Sequence, residues 1–339
     1  MTWLALDIGG ANIKVADGKE FAVSSVFPLW KKPKQLADAL RTLIAGAPRA
    51  DHLVATMSGE LADCFATKAE GVQAIVQAFV AASDGRHARV YLNNGTLVAP
   101  QIALKQPLLA AAANWHALAY FAGRYVPMGT GLAIDIGSTT CDIVPLADGT
   151  PAATATTDPE RLLASELVYT GVERSPICAL VNSLPWRKQQ CPTAHELFST
   201  TWDAYLTLGD LPEEPQSTHT ADGRPATKEA ARDRLARTIC ADREMFSEND
   251  AVVAAEAIAR SQLAKIAVAV GQVLGRLPVA PAAIVISGCG EFVARRALER
   301  MKVSAKIISL NEELGPTLSR CAPAHALAVL ARETYASEG

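Results

Sequence analysis

A chain of 339 residues, half of them hydrophobic and 20% charged, is too long for one ordinary core and too apolar to be disordered, which points to two packed α/β domains. A formal net charge of -3 and a sequence pI near 6.1 leave no basic field for nucleic acid, and no basic stripe interleaved with aromatics is present. Seven cysteines without a CxxC pair read as free thiols of a reducing compartment.

The N-terminus enters a strand almost at once, with no charged segment leading into an apolar one, so no signal peptide is expected and the protein is assigned to the cytoplasm. LALDIGGANIKVA, Leu4 to Ala16, reads as an apolar strand, an aspartate, a glycine turn and a second strand. Such a turn lets backbone N–H groups approach a phosphate, and Asp7 beside it can hold a hydrated divalent cation. Gly9, Gly10 and Asn12 are therefore candidate phosphate contacts. Lys14, in the second strand, is either a phosphate counter-charge or a solvated residue.

A third strand is expected over Phe21 to Phe27, followed by LWKKP, where Lys31 suits a diphosphate and a solvated lysine pair is the plainer reading. An amphipathic helix (Pro33 to Ala45), a strand (His52 to Thr56), a helix (about Gly71 to Ala82), a strand (Arg89 to Asn94) and a helix (about Gln106 to Arg124) follow. The Ala-rich stretch from Leu108 to Phe121 is too short to span a bilayer. ATMSGELADCF delivers Ser58, Glu60 and Asp63 to a strand end, as a general base or metal carboxylate, or as a capped turn. Asn94, Asn114 and Trp115 fall where two halves should meet, to read a substrate ring or to pack the junction.

PMGTG breaks the chain near Val126 to Gly131, and LAIDIGSTTCDIVPL then repeats the opening pattern. Asp135 matches Asp7; Gly137, Ser138, Thr139 and Thr140 match the first loop; Asp142 takes the place of Lys14. An acid there is costly to bury unpaired, which makes Asp142 a candidate metal ligand. The repeat implies a duplicated domain, 1–128 and 129–339, with a phosphate site in the cleft between the halves. From about 155 to 248 the pattern turns helical and polar, with helices expected at Pro159 to Leu167, Ala194 to Leu208 and Lys228 to Ala241, as an insertion over the cleft. Within it Tyr169, Thr170 and Arg224 are candidate substrate contacts, although a surface arginine is the default. Cys178, Cys191 and His195 lack a second pair to complete a zinc set. A helix (Asp250 to Gly275), a strand (Ala283 to Ser287), a Gly-x-Gly turn with Gly288 and Gly290, a helix that could receive phosphate at its N-terminus, and a final helix (Ala324 to Tyr335) close the chain. The Ala-rich helices allow a homodimer, but such faces more often belong to the monomer core.

The three glycine motifs resemble the phosphate-1, phosphate-2 and adenosine motifs of the acetate and sugar kinase, heat-shock-protein and actin superfamily. DIGGANIK, TMSGELADCF, AANWHA, DIGSTTCDIVP, ELVYTGVERSP and TADGRPAT together resemble its hydantoinase A/oxoprolinase-related branch, associated with tetrahydromethanopterin-linked one-carbon metabolism and including a methylofuran-biosynthesis condensing enzyme. The resemblance implies two actin/ribonuclease H-like domains and a transferase joining an aminomethylfuran-methyl diphosphate to the phenol of tyrosine or (glutamyl-)tyramine, with release of diphosphate. It implies Mg2+ with diphosphate on the glycine loops, small-molecule partners, and neither nucleic acid nor membrane. ATP is compatible but not required, since SGCGEF departs from the Gly-Gly-Gly type common in kinases. Glu60 or Asp63 is the candidate base for a phenol whose free pKa is about 10. An ATP-dependent kinase or amidohydrolase, and a non-catalytic nucleotide-binding regulator, are the alternatives.

Overall fold

The computed structural model describes residues 1–336. β1 (Trp3–Gly9) is buried along almost its whole length, as its unbroken apolar run requires of a central strand. β2 (Asn12–Ala16) turns back antiparallel to it, and β3 (Ala22–Val26) pairs antiparallel with β2. After a 3-10 turn at Pro33–Gln35, α1 (Leu36–Ala45) leads to β4 (His52–Ser58), parallel to β1. α2 (Lys68–Ala82) starts where the Thr67 hydroxyl accepts from the Glu70 N–H, and leads to β5 (His87–Tyr91), parallel to β4. β6 (Leu97–Val98) closes this sheet in the order β3-β2-β1-β4-β5-β6. Leu36 and Leu40 of α1 and Val72, Ile75 and Phe79 of α2 share a core with Leu6 and Ile8.

The helix expected over Gln106 to Arg124 is broken. Short helices α3 (Pro100–Ala103) and α4 (Pro107–Ala110) precede α5 (Asn114–Gly123), and between them Ala112 takes a left-handed φ of 46°. Nothing in an alanine run marks such a break, because alanine is the best helix former.

β7 (Thr130–Ile136), β8 (Cys141–Ala147) and β9 (Thr150–Pro151) repeat the hairpin. α6 (Asp158–Leu163) is shorter than the expected Pro159 to Leu167, because Ser165 turns to a φ of 56° and Leu167–Val168 becomes β10, antiparallel to β8. The start of the expected insertion thus belongs to the second sheet. The remainder is not all helical: β11 (Ser183–Trp186) and β12 (Gln189–Pro192) form a hairpin. α7 (Thr201–Leu208) begins at a capping box between Thr200 and Asp203, well after Ala194, and α8 (Lys228–Arg237) stops short of Ala241. Leu184, Ala204, Leu235 and Phe246 give this region its own small core against Ala255 and Ile258 of α9 (Glu248–Leu274).

β13 (Ala283–Ser287) runs parallel to β7, α10 (Glu291–Met301) follows, and β14 (Lys306–Ser309) runs parallel to β13. The second sheet, β10-β8-β7-β13-β14, repeats the arrangement of β3-β2-β1-β4-β5, with two antiparallel pairings followed by two parallel ones. This is the duplicated ribonuclease H-like unit. α11 (Leu310–Leu314), α12 (Pro316–Arg320) and α13 (Ala322–Ala336) end the described chain.

The halves exchange helices. α5 packs Trp115, Leu118 and Phe121 onto Val144, Leu146 and Val285 of the second sheet. α13 packs Leu327, Ala328 and Ala331 onto Trp3, Ala5 and Val54 of the first. The packing therefore does not divide at residue 128. Among the described residues no helix is long and apolar enough to cross a membrane.

Candidate active site

A cleft of about 490 Å³ is walled by the ends of both central hairpins, the turn after β4, the start of α5 and the segment after β10. The hairpins correspond residue for residue: Asp7 is the register partner of Lys14, and Asp135 that of Asp142. On the other side Asp7 pairs with Thr56 of β4, and Asp135 with Ser287 of β13.

Asp7 is 4% exposed, and among the described residues its Oδ1 has no hydrogen-bond partner. Lys14 Nζ stands 3.9 Å from its Oδ2. Burial raises the Asp7 carboxyl above the usual range; Lys14 opposes the shift. Burial favours a neutral Lys14, but Asp7 and Asp135 outweigh it and hold the ammonium above its ordinary value. Lys14 is thus a shared counter-ion of both aspartates rather than a solvated strand residue. Asp135 is likewise raised by burial, against Lys14 and the Ser287 hydroxyl, which donates to Asp135 Oδ1 at 2.5 Å.

Asp142 is paired with Arg161, whose Nη1 donates to Asp142 Oδ1 at 2.8 Å. Burial still pushes Asp142 up to about 6, with Arg161 opposing. Asp142, the expected metal ligand, lines the cleft and anchors Arg161 through Oδ1. That arginine is buried, lies over the Trp115 ring with its guanidinium carbon 4.0 Å from the centroid, and also donates to the Glu166 carbonyl. Sequence reasoning missed Arg161, because an arginine in a polar helical segment looks like a surface residue.

Glu60 is 1% exposed, and among the described residues its Oε2 has no hydrogen-bond partner. Burial raises its carboxyl, against backbone groups of Glu60 and Ala112 and the charge of Lys68. Lys68 Nζ stands 3.8 Å from Glu60 Oε1 and 2.5 Å from Asp158 Oδ2, joining the first half to the start of α6. Gly71 admits the Glu60 backbone: a Cβ there would lie 2.1 Å from the Glu60 carbonyl oxygen. Asp63 also lines the cleft, but is exposed. Lys68 and Asp158 were absent from the sequence expectation.

The turn residues Gly9, Gly10 and Asn12, and on the other side Gly137, Ser138, Thr139 and Thr140, all border the cleft, as do Asn114, Trp115 and Tyr169. A small side recess of about 30 Å³ shares Lys14 and Asp135 with it and reaches Gly288.

Other expected residues lie elsewhere. Lys31 is exposed, and its neighbour Trp30 lines the cleft instead. Asn94 closes its own turn, its Oδ1 accepting from the N–H and hydroxyl of Thr96. Asn93 ties the halves together, donating to the Thr156 carbonyl at 3.1 Å. Thr170 is buried and bonded to Ser175 and Gln262, bracing the segment behind the second loop. Arg224 is ion-paired with Asp233 in the insertion. Gly290 gives close approach rather than phosphate contact: a Cβ would lie 2.4 Å from Ile136 Cγ2. Gly288, at φ 90°, lines the side recess, and a Cβ there would lie 2.3 Å from the Ile136 carbonyl oxygen and 2.8 Å from Asp135 Oδ1.

Two ribonuclease H-like sheets facing one another across duplicated glycine turns define an actin-like α/β protein. The chain belongs to the hydantoinase/oxoprolinase family, whose model matches residues 51–334. It is 33% identical, over 96% of both chains, to (4-{4-[2-(gamma-L-glutamylamino)ethyl]phenoxymethyl}furan-2-yl)methanamine synthase of Methanocaldococcus jannaschii. The protein of that name in Methanococcus vannielii is 32% identical over 59% of this chain and 89% of its own. Among solved structures, nucleotide-free acetone carboxylase covers 94% of this chain and 51% of its own, with a TM-score of 0.49 and 14% identity.

Proposed function

We propose that this chain is a transferase of methylofuran biosynthesis, condensing an aminomethylfuran-methyl diphosphate with the phenol of tyrosine or (glutamyl-)tyramine. The observation that carries this reading is the match, along nearly all of both chains, to a synthase whose name describes a phenoxymethyl-furan methanamine. The bond from the furan methylene to the diphosphate oxygen breaks, its electron pair leaving with diphosphate. The phenol oxygen bonds to the methylene and gives up its proton.

The cleft supports both tasks. Glycine turns at both hairpin ends border it, and backbone N–H groups of such turns suit the negative charge that would develop on the leaving group. Asp7 and Asp135 fit a hydrated Mg2+: Asp7 Oδ1 is buried and unpartnered, and magnesium is commonly held through one or two carboxylates plus substrate phosphates. No group of three or more His, Cys, Asp or Glu placed to hold a metal occurs among the described residues, so the phosphate would complete the set. Bound there, Mg2+ would neutralise charge on the departing diphosphate. Glu60 is preferred over Asp63 as the base, since burial raises its proton affinity, it lines the cleft, and among the described residues its buried Oε2 has no hydrogen-bond partner.

Phosphorus NMR with Mg2+, the furan diphosphate and glutamyl-tyramine tests the reading. Inorganic diphosphate should form only when the phenol is present, and Glu60→Gln should slow it by about a hundredfold. In the wild type, turnover should fall with acid as Glu60 protonates, at a pH above its reference value of 4.5, and this acid limb should vanish in Glu60→Gln. ADP formation from ATP with an inert furan diphosphate would overturn the reading.

A further inference from the structure

We propose that Arg174, resting on Trp30, takes the outer phosphate of the departing diphosphate; this deepens the transferase reading and rests on it. Among the described residues six carboxylates but three cations line the cleft, so a diphosphate enters a wall of its own sign. Two of the cations are committed, Lys14 beside Asp7 and Arg161 on Asp142. Arg174 has no carboxylate within 4.0 Å among the described residues.

Its guanidinium carbon lies 4.7 Å from the Trp30 ring centroid. Contact through the guanidinium face leaves the in-plane N–H donors free, and that edge matches phosphate in a bidentate manner. Both partners hang from the glycine turns. The Arg174 N–H donates to the Ser138 carbonyl at 3.0 Å, and the N–H of Leu29, next to Trp30, donates to the Gly10 carbonyl at 2.9 Å. The pair therefore spans the cleft between the two turns, where a diphosphate held by both would present its outer oxygens.

Calorimetric titration of inorganic diphosphate with Mg2+ tests this. Arg174→Gln should weaken binding by roughly tenfold to a hundredfold, the loss expected for charge-assisted hydrogen bonds, and Arg174→Lys by less. Trp30→Phe, which keeps an aromatic platform, should bind nearly as the wild type does. Equal affinity in Arg174→Gln and wild type overturns the assignment. So does an Arg174→Gln effect confined to the KM for tyrosine and absent for tyramine, which would make Arg174 a reader of the acceptor's carboxylate. Wild-type protein that ignores diphosphate would remove the transferase reading, and this role with it.

Discussion

The two hairpins share a register but neutralise their charge differently. The first carries its own counter-charge, Lys14 opposite Asp7. The second sets Asp142 opposite Asp135 and imports Arg161 from α6. Duplication thus preserved the backbone while one charge reversed, and the reversal tied a neighbouring helix into the cleft wall.

Truncating the imported arginine should break this comparison most visibly. Arg161→Ala leaves Asp142 buried without its partner and strips the Trp115 face, so urea unfolding should show a loss of about 3 to 5 kcal/mol. The same truncation at Lys14 should destabilise less, because that ammonium stands 3.9 Å from Asp7 and its side chain is 25% exposed.

The turns differ in tightness as well. Gly59 backs the first, where a Cβ would lie 3.0 Å from the Gly9 carbonyl carbon; Gly171 backs the second, where a Cβ would lie 2.4 Å from that of Ser138. Gly171→Ala should therefore lower stability by about 1 to 3 kcal/mol in the same assay and disturb the second turn, with Gly59→Ala milder.

A smaller effect concerns the helix behind the cleft. His116 accepts or donates at Nδ1 to the Tyr91 hydroxyl at 2.8 Å, and burial, aided by the Arg161 charge, lowers its pKa to about 4. The unfolded chain, with a reference value of 6.5, binds that proton first as pH falls. His116 thus removes stability between pH 6.5 and about 4 and costs nothing above that window. His116→Asn should show a shallower fall in Tm between pH 7 and pH 5 than the wild type.

Much of this was legible in the sequence, because the hairpins combine apolar runs, aspartates and glycines whose spacing survives without tertiary context. Asp7 and Asp135 lie together for that reason, and Glu60 joins them from the turn after the apolar strand β4. What was not legible depended on distant partners. Arg161 and Lys68 look like ordinary helix cations until Asp142, Glu60 and Asp158 are brought beside them. The break at Ala112 and the conversion of Leu167–Val168 to a strand come from left-handed turns at non-glycine residues, which local propensity disfavours. Lys31 failed by one position, since the chain gives the cleft the neighbouring indole.

The exchanged helices bear on how the chain is made. β1 and β4 emerge from the ribosome early, yet the face formed by Trp3, Ala5 and Val54 is covered by residues of α13, synthesised more than 250 positions later. At about 5 to 20 residues per second, that apolar face waits on the order of ten seconds or more for its cover. During that interval the nascent first half is a natural client for chaperones, and a stalled or truncated chain would aggregate through the surface its last helix should have sealed.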